Sequence, residues 1–133
     1  MKISTLVFSF VVLIAGCGES VPAQAVTVIE ETGSIEEGDP ADANYGGYLY
    51  DSYDFPVEPL DIVSVVVESG DFSFLVTLVE VSTGAQLAEW DPEYSDETAL
   101  SYRIAGGGIC QARVYSLDGG TGAYTVRITV EGN

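Results

Sequence analysis

Histidine is absent from this chain of 133 residues, and lysine and arginine together number only four. Without an imidazole, the chain cannot form a Ser-His-Asp or Cys-His catalytic site or a histidine metal site. Binding to nucleic-acid phosphates needs clustered cations, which four basic residues do not supply. The composition therefore excludes several common enzyme classes and argues against a nucleic-acid partner.

Long apolar runs are also missing. The apolar segment at residues 6–15 is ten residues long, whereas a helix needs about 20 residues to span a bilayer. Lys2 precedes this segment, and a short positive region before a short apolar one is typical of a secretory signal peptide. We therefore expect a leader rather than a transmembrane helix.

The end of the apolar segment carries a processing signal. Residues 13–17 read Leu-Ile-Ala-Gly-Cys, and two small residues before a cysteine resemble the bacterial lipobox. The resemblance implies cleavage after Gly16 and lipid on Cys17, which would anchor the chain to a membrane. An ordinary signal peptide with an incidental cysteine is the alternative. Gly18 follows, where an Asp would indicate inner-membrane retention, so the outer membrane is expected in a Gram-negative host.

The predicted mature chain is strongly acidic. Lys2 leaves with the leader, so three arginines face 21 acidic residues and the charge becomes −18. A solvated, soluble surface explains such a balance, and cation binding is the alternative. We divide the chain into a leader at 1–16, a lipidated tether at 17–25 and one domain at 26–133.

Short runs of Val, Ile, Thr, Tyr and Phe with alternating polarity fill the domain, and turn residues separate them. About eight such strands predict an all-β antiparallel sandwich, jelly-roll-like in form. In the third and fourth runs part of the other face is also apolar, so an edge there should be covered or prone to association. The predicted strands are residues 26–31, 47–55, 62–68, 72–81, 86–90, 99–104, 109–115 and 123–130.

Several segments in order resemble the bacterial pre-peptidase C-terminal (PPC) domain, a β-sandwich often appended to secreted peptidases. They are a Gly with an acidic loop, an aromatic-Asp-x-aromatic-x-Phe strand, a Phe-x-x-Leu-type strand, a Thr-Gly turn and two closing Gly-led strands. They lie at residues 33–39, 50–55, 72–78, 83–84, 108–114 and 122–128.

Three positions depart from the PPC pattern. Ser73 stands where the family usually has Asp, and residues 90–92 (Trp-Asp-Pro) replace a common Asn-Asp-Asp run. These changes remove carboxylates that calcium-binding members could use. Cys110 replaces a common inward tyrosine.

Clustered carboxylates make calcium the one cofactor to consider. Asp39 and Asp42 lie in one predicted loop, and Asp91 and Asp96 lie in another. Calcium takes six to eight oxygen ligands, and related clostridial collagen-binding domains bind it. Asp also favours turns without any metal, so solvated turns are the simpler interpretation.

Other chemistry has weaker support. Cys110 shares the parity of Ala112 and Val114 and is expected to be a small buried residue rather than a reactive thiol. With Cys17 lipidated, it has no disulfide partner. A glycosidase-type carboxylate pair or a Gly-x-Ser-x-Gly nucleophile is not indicated. An aromatic ligand platform is a further hypothesis; its candidates are Tyr45, Tyr48, Tyr50, Trp90, Tyr94 and Tyr102.

Together these observations predict a non-catalytic, lipid-anchored, extracytoplasmic binding or accessory module for a protein or polysaccharide. A calcium-dependent stability or adhesion module is one alternative, and an envelope lipoprotein without a discrete ligand is another. A large exposed aromatic patch would favour the binding module. Four converging carboxylate oxygens would favour the metal module.

Overall fold

The computed structural model describes residues 8–13, 25–117 and 119–132, and there the chain forms ten strands and two short 3₁₀ turns. The turns are Ala43–Tyr45 and Pro92–Tyr94. The strands are β1 Phe8–Leu13, β2 Ala25–Ile35, β3 Ala41–Asp42, β4 Tyr48–Val57, β5 Ile62–Glu68, β6 Phe74–Glu80, β7 Gln86–Trp90, β8 Leu100–Arg103, β9 Gly108–Ser116 and β10 Gly122–Glu131.

The strands form two five-stranded antiparallel sheets. Sheet 1 has the order β1-β2-β10-β5-β8, and sheet 2 has the order β3-β4-β9-β6-β7. The inward faces of both sheets supply one hydrophobic core, so the predicted all-β sandwich is confirmed. Strands β7 and β8 lie at the edges of different sheets and follow one another in the chain.

Alternation decides which side chains enter the core. In β5, Val63, Val65 and Val67 are almost fully buried, while Ser64 and Val66 between them are partly exposed. Because successive side chains of a strand point to opposite faces, this pattern gives one wet and one dry face. The central strands of sheet 1 repeat it.

The structure adds two strands to the eight predicted ones, namely β1 and the two-residue β3. It also extends the first predicted strand through Ile35 and begins the fourth at Phe74. Phe72 precedes β6, yet its side chain packs in the core at 8% exposure.

Most of the predicted leader lies outside the described residues. Only Phe8–Leu13 is described, as strand β1 paired antiparallel with the first half of β2. The cleavage position, Cys17 and most of the tether fall in the gap before Ala25. Leader removal and lipidation therefore stay predictions. In the described segments, no helix has the length and apolar content needed to cross a membrane.

Candidate binding surfaces

The outer face of sheet 2 is largely covered, although outer sheet faces usually meet water. Leu75, Thr77 and Val79 point away from the core on β6, yet at most 6% of each is exposed. Polar and aromatic side chains of the neighbouring strands and of the Ala43–Tyr45 turn shield them. Of the two strands expected to be covered or prone to association, β6 is covered on this face, whereas Ile62, Ser64 and Val66 of β5 stay partly exposed.

Three tyrosines, one arginine and one aspartate form this cover, which we call the tyrosine cluster: Asp42, Tyr45, Tyr50, Arg113 and Tyr115. The rings of Tyr45 and Tyr50 lie 4.8 and 5.2 Å from the ring of Tyr115. The Arg113 guanidinium lies 5.0 Å from the centre of the Tyr50 ring. Stacked rings under a cation are a stable surface arrangement.

Asp42 connects the two sides of the tyrosine cluster. Its Oδ1 accepts the backbone N–H of Asn44 and so begins the 3₁₀ turn that carries Tyr45. Its Oδ2 accepts the Tyr115 hydroxyl at 2.8 Å and lies 3.3 Å from Arg113 Nη1. One carboxylate therefore fixes both the turn and the strand β9 side chains.

The hydroxyl of Tyr45 reaches the sheet edge. It donates to Glu89 Oε2 at 2.8 Å and also contacts Gln86 Oε1, both on β7. Burial, together with the Glu89 carboxylate, raises the pKa of Tyr45 to about 12, and burial also raises the pKa of Tyr115. Both phenols are therefore hydrogen-bond donors at neutral pH, as ordinary phenols are, and remain so further into the alkaline range.

Thr77 lies under this cover and carries a hydroxyl group that the cover does not satisfy. Its side chain is fully buried, and its Oγ1 has no hydrogen-bond partner within the described part of the chain. In the strand register it lies between Arg113 and Glu89. A methyl group would suit this position as well as a hydroxyl does.

The connection from β7 to β8 projects an acidic loop, residues 91–97 (Asp-Pro-Glu-Tyr-Ser-Asp-Glu). Asp91 begins its 3₁₀ turn by accepting the Glu93 N–H at 3.0 Å. Tyr94 ends the turn and is 83% exposed. The Trp90 indole N–H donates to the backbone carbonyl of Glu97 at 3.0 Å and ties the loop to the core.

A groove of about 350 Å³ lies between the acidic loop and the β7–β8 edges, and we call it the loop groove. Ala88, Trp90 and Leu100 lie along its apolar side. The rest of its lining is polar or aromatic and consists of Glu89, Asp91, Tyr94, Ser95, Glu97 and Ser101.

A largely buried chain of hydrogen bonds joins the two sheets. Tyr124 of β10 donates to Asp51 Oδ2 at 2.6 Å, and Tyr53 of β4 hydrogen-bonds to Tyr124. Burial raises the pKa of Tyr53 to about 12 and raises that of Tyr124 further, helped by the contacts with Asp51 and Tyr53. Gly33 of β2 lies directly opposite Tyr124.

The four calcium candidates do not converge on one site in the described part of the chain. Asp39 accepts the Glu36 N–H at 2.9 Å, and Asp42 belongs to the tyrosine cluster. Asp91 begins the second 3₁₀ turn, while Asp96 is exposed. Among the described residues, no three Asp, Glu, Cys or His side chains are placed to hold a metal ion. Calcium binding stays a prediction.

Cys110 is buried on the inner face of β9, at 3% exposure, and is a free thiol. Burial raises the pKa of the thiol, and Glu80 adds to the effect. The predicted packing role of this residue is confirmed.

The hypothetical aromatic platform divides into three groups. Trp90 packs in the core and Tyr102 packs against it. Tyr94 lies on the acidic loop, and Tyr45 and Tyr50 belong to the tyrosine cluster. Tyr48, partly exposed at the start of β4, is the sixth candidate. Sequence reasoning missed Arg113 and Tyr115 as members of the cluster. Since Cys110 was predicted to face the core, the alternation along β9 already implied that Arg113 and Tyr115 face outward.

No family profile and no curated protein matches the sequence. The structure, however, is similar to solved β-sandwiches. One is PliG of Salmonella Typhimurium, a periplasmic lysozyme inhibitor of g-type lysozyme, with 18% identity and a TM-score of 0.52 over 77% of this chain and 86% of that chain. PliG of Aeromonas hydrophila has 12% identity and a TM-score of 0.56 over 77% and 85%.

The pre-peptidase C-terminal domain of collagenase from Bacillus anthracis is also similar, with 22% identity and a TM-score of 0.50 over 74% of this chain and 86% of that one. The PPC-like fold inferred from the sequence motifs is therefore supported by a solved PPC domain. At these identities the likeness establishes the fold.

Proposed function

We propose that this chain is a non-catalytic, extracytoplasmic binding module whose ligand is a protein with a positively charged surface. The observation that carries the proposal is the large excess of carboxylates on a sandwich of the PliG and PPC type. Of the basic side chains, Arg113 and Arg127 are already paired, with Asp42 and Glu30 respectively. Most surface carboxylates are therefore not balanced by a basic side chain, and their negative charge attracts cations.

The structural neighbours support this type of function. The PliG proteins are periplasmic inhibitors of g-type lysozyme. A sandwich of this fold can therefore act by binding a protein rather than as an enzyme. The PPC domain is a part of a collagenase. A purified g-type lysozyme is the first partner to test.

The test is a binding titration of the purified chain, kept soluble with a neutral detergent, against a g-type lysozyme at low and high salt. We expect saturable binding that weakens at least tenfold at about 0.5 M salt, where screening removes charge attraction beyond a few ångströms. Cytochrome c is the control for charge alone. No binding at low salt, or equal binding to cytochrome c, would contradict a specific g-type lysozyme partner.

The second part of the proposal is the anchor. Lipid on Cys17 would hold the acidic domain at the cell envelope with no transmembrane helix, because several acyl chains together give stable attachment. Metabolic labelling with a fatty acid should be lost in Cys17→Ala and kept in Cys110→Ala. Labelling that survives Cys17→Ala would exclude this anchor.

A further inference from the structure

The loop groove combines two surfaces that suit different parts of one side chain. Its apolar lining comes from Ala88, Trp90 and Leu100, and three acidic residues, Glu89, Asp91 and Glu97, also line it. All residues lining it belong to the described part of the chain, and no Lys or Arg is among them. A side chain with a hydrocarbon stem and a cationic end matches both surfaces.

We propose that the loop groove receives a lysine or arginine side chain of a protein partner; this inference rests on the proposed protein-binding function and names its contact. The stem would lie along Ala88, which is partly exposed whereas Trp90 and Leu100 are buried, as the stems of long basic side chains commonly cover apolar surface. The cationic end would meet Glu89, Asp91 or Glu97.

Tyr94 supplies a second attraction for the same cation. Its ring borders the groove and is 83% exposed, although most large side chains in this fold are covered. A tyrosine face within about 6 Å of a cation stabilises it, and tyrosine is frequent among residues that dominate protein interfaces. No Lys or Arg is among the described residues that line the groove with Tyr94, and Arg113 and Arg127 pair with Asp42 and Glu30.

The groove is also held in shape before any partner arrives. Asp91 caps the 3₁₀ turn beneath Tyr94, and the indole of Trp90 binds the carbonyl of Glu97. Glu89 is fixed by the Tyr45 hydroxyl. Because two of the three carboxylates are locally ordered, less conformational entropy is lost when a cation binds.

Trp90 makes the test specific to this site, since the chain has only one tryptophan. The probe is a blocked Gly-Gly-Lys-Gly-Gly peptide at millimolar concentration, with the Nε-acetyl-lysine form as the matched neutral peptide. We expect the lysine peptide to change Trp90 fluorescence and to shift the amide resonances of Ala88, Tyr94 and Leu100. The acetylated peptide should do neither.

Two substitutions that remove the same charge separate the groove from the general acidity of the chain. Glu97→Gln should weaken peptide binding about threefold to fivefold, the size expected for one exposed charge contact. Glu37→Gln, in an exposed turn elsewhere, should leave binding unchanged. Tyr94→Ala should weaken binding by a similar factor to Glu97→Gln.

The outcomes distinguish this inference from the proposed function. Equal response to both peptides would make the groove an apolar peptide site and overturn the inference, as would resonance shifts spread over the acids of both sheets. Lysozyme binding that Glu97→Gln and Tyr94→Ala leave intact would also overturn it while keeping the proposed function. A peptide response in the groove without any lysozyme binding would keep the inference for another basic protein.

Discussion

At the scale of single residues, Gly33 shows how closely the two sheets approach. A Cβ at this position would lie 2.5 Å from the Tyr124 hydroxyl oxygen and 2.8 Å from that of Tyr53. Both phenols are held by the buried chain that ends at Asp51, so neither can move aside without breaking hydrogen bonds. Sequence motifs place a glycine here, but only the structure gives this reason for it.

Gly33→Ala should therefore destabilise the fold. Overpacking a well-packed site lowers the free energy of unfolding by about 1–3 kcal/mol, and urea denaturation at neutral pH would measure the loss. Gly38→Ala is the matched control, because a Cβ there meets nothing within 4 Å. Equal stability of the two variants would show that Tyr124 and Tyr53 reorganise freely.

Tyr53 also predicts how stability depends on alkaline pH. Burial raises its pKa from 10.0 to about 12 in the folded chain. Because this pKa is higher in the folded chain than in the unfolded chain, the contribution to stability is fully present below the unfolded pKa. It is lost as pH rises from about 10 toward 12. The contribution falls by about 1.4 kcal/mol per pH unit in that window.

Urea denaturation between pH 9 and pH 11.5 would test this. We expect a steep loss of stability above pH 10 in the native chain and a shallower loss in Tyr53→Phe. Tyr94→Phe makes the same chemical change on an exposed loop and should retain the native slope. A Tyr53→Phe slope equal to that of the native chain would exclude this tyrosine as a source of the alkaline loss.

At the scale of strands, alternation could be read from the sequence because it depends on local order along the chain. The eight predicted strands are all present, and Cys110, Val65 and Val126 face inward as expected. Strand β3 was missed because its two residues are too few to show alternation. The partners of Tyr45 lie 41 and 44 residues away in sequence, so no local pattern could reveal this contact.

The covered outer face of β6 leads to a prediction about Thr77. Its buried hydroxyl is desolvated with no partner among the described residues, and such a group lowers stability by about 1–3 kcal/mol relative to an apolar group of the same shape. Thr77→Val should therefore leave the free energy of unfolding unchanged or raise it by up to about 1 kcal/mol.

Ser116→Ala serves as the contrast for Thr77→Val. The Ser116 side chain is equally buried, but its hydroxyl donates to the Gly120 carbonyl at 2.6 Å. Losing this bond should destabilise the fold by about 1 kcal/mol. If Thr77→Val were as destabilising as Ser116→Ala, a bound water or another partner of Thr77 would be required.

At the scale of the whole molecule, charge is the dominant property, and it decides how divalent cations should act. The acids are spread over both sheets and several loops, and the calcium candidates Asp39, Asp42, Asp91 and Asp96 are not brought together. The apolar core forms from described residues of the strands together with Phe72 and Ile104 beside them. Folding without metal is therefore the expected behaviour, and cations should act mainly by relieving repulsion between carboxylates.

Thermal unfolding in 1 mM calcium, in 1 mM magnesium and in sodium chloride of equal ionic strength would separate screening from a specific site. Specific binding at 100 times the dissociation constant would add about 2.7 kcal/mol, which means a rise of several degrees in Tm for a domain of this size. We expect smaller and similar rises with both divalent ions, since diffuse carboxylates do not distinguish the geometry that each ion prefers. A rise of several degrees with calcium and none with magnesium would contradict this and require a calcium site, and Asp39→Asn and Asp91→Asn would then show which loop provides it.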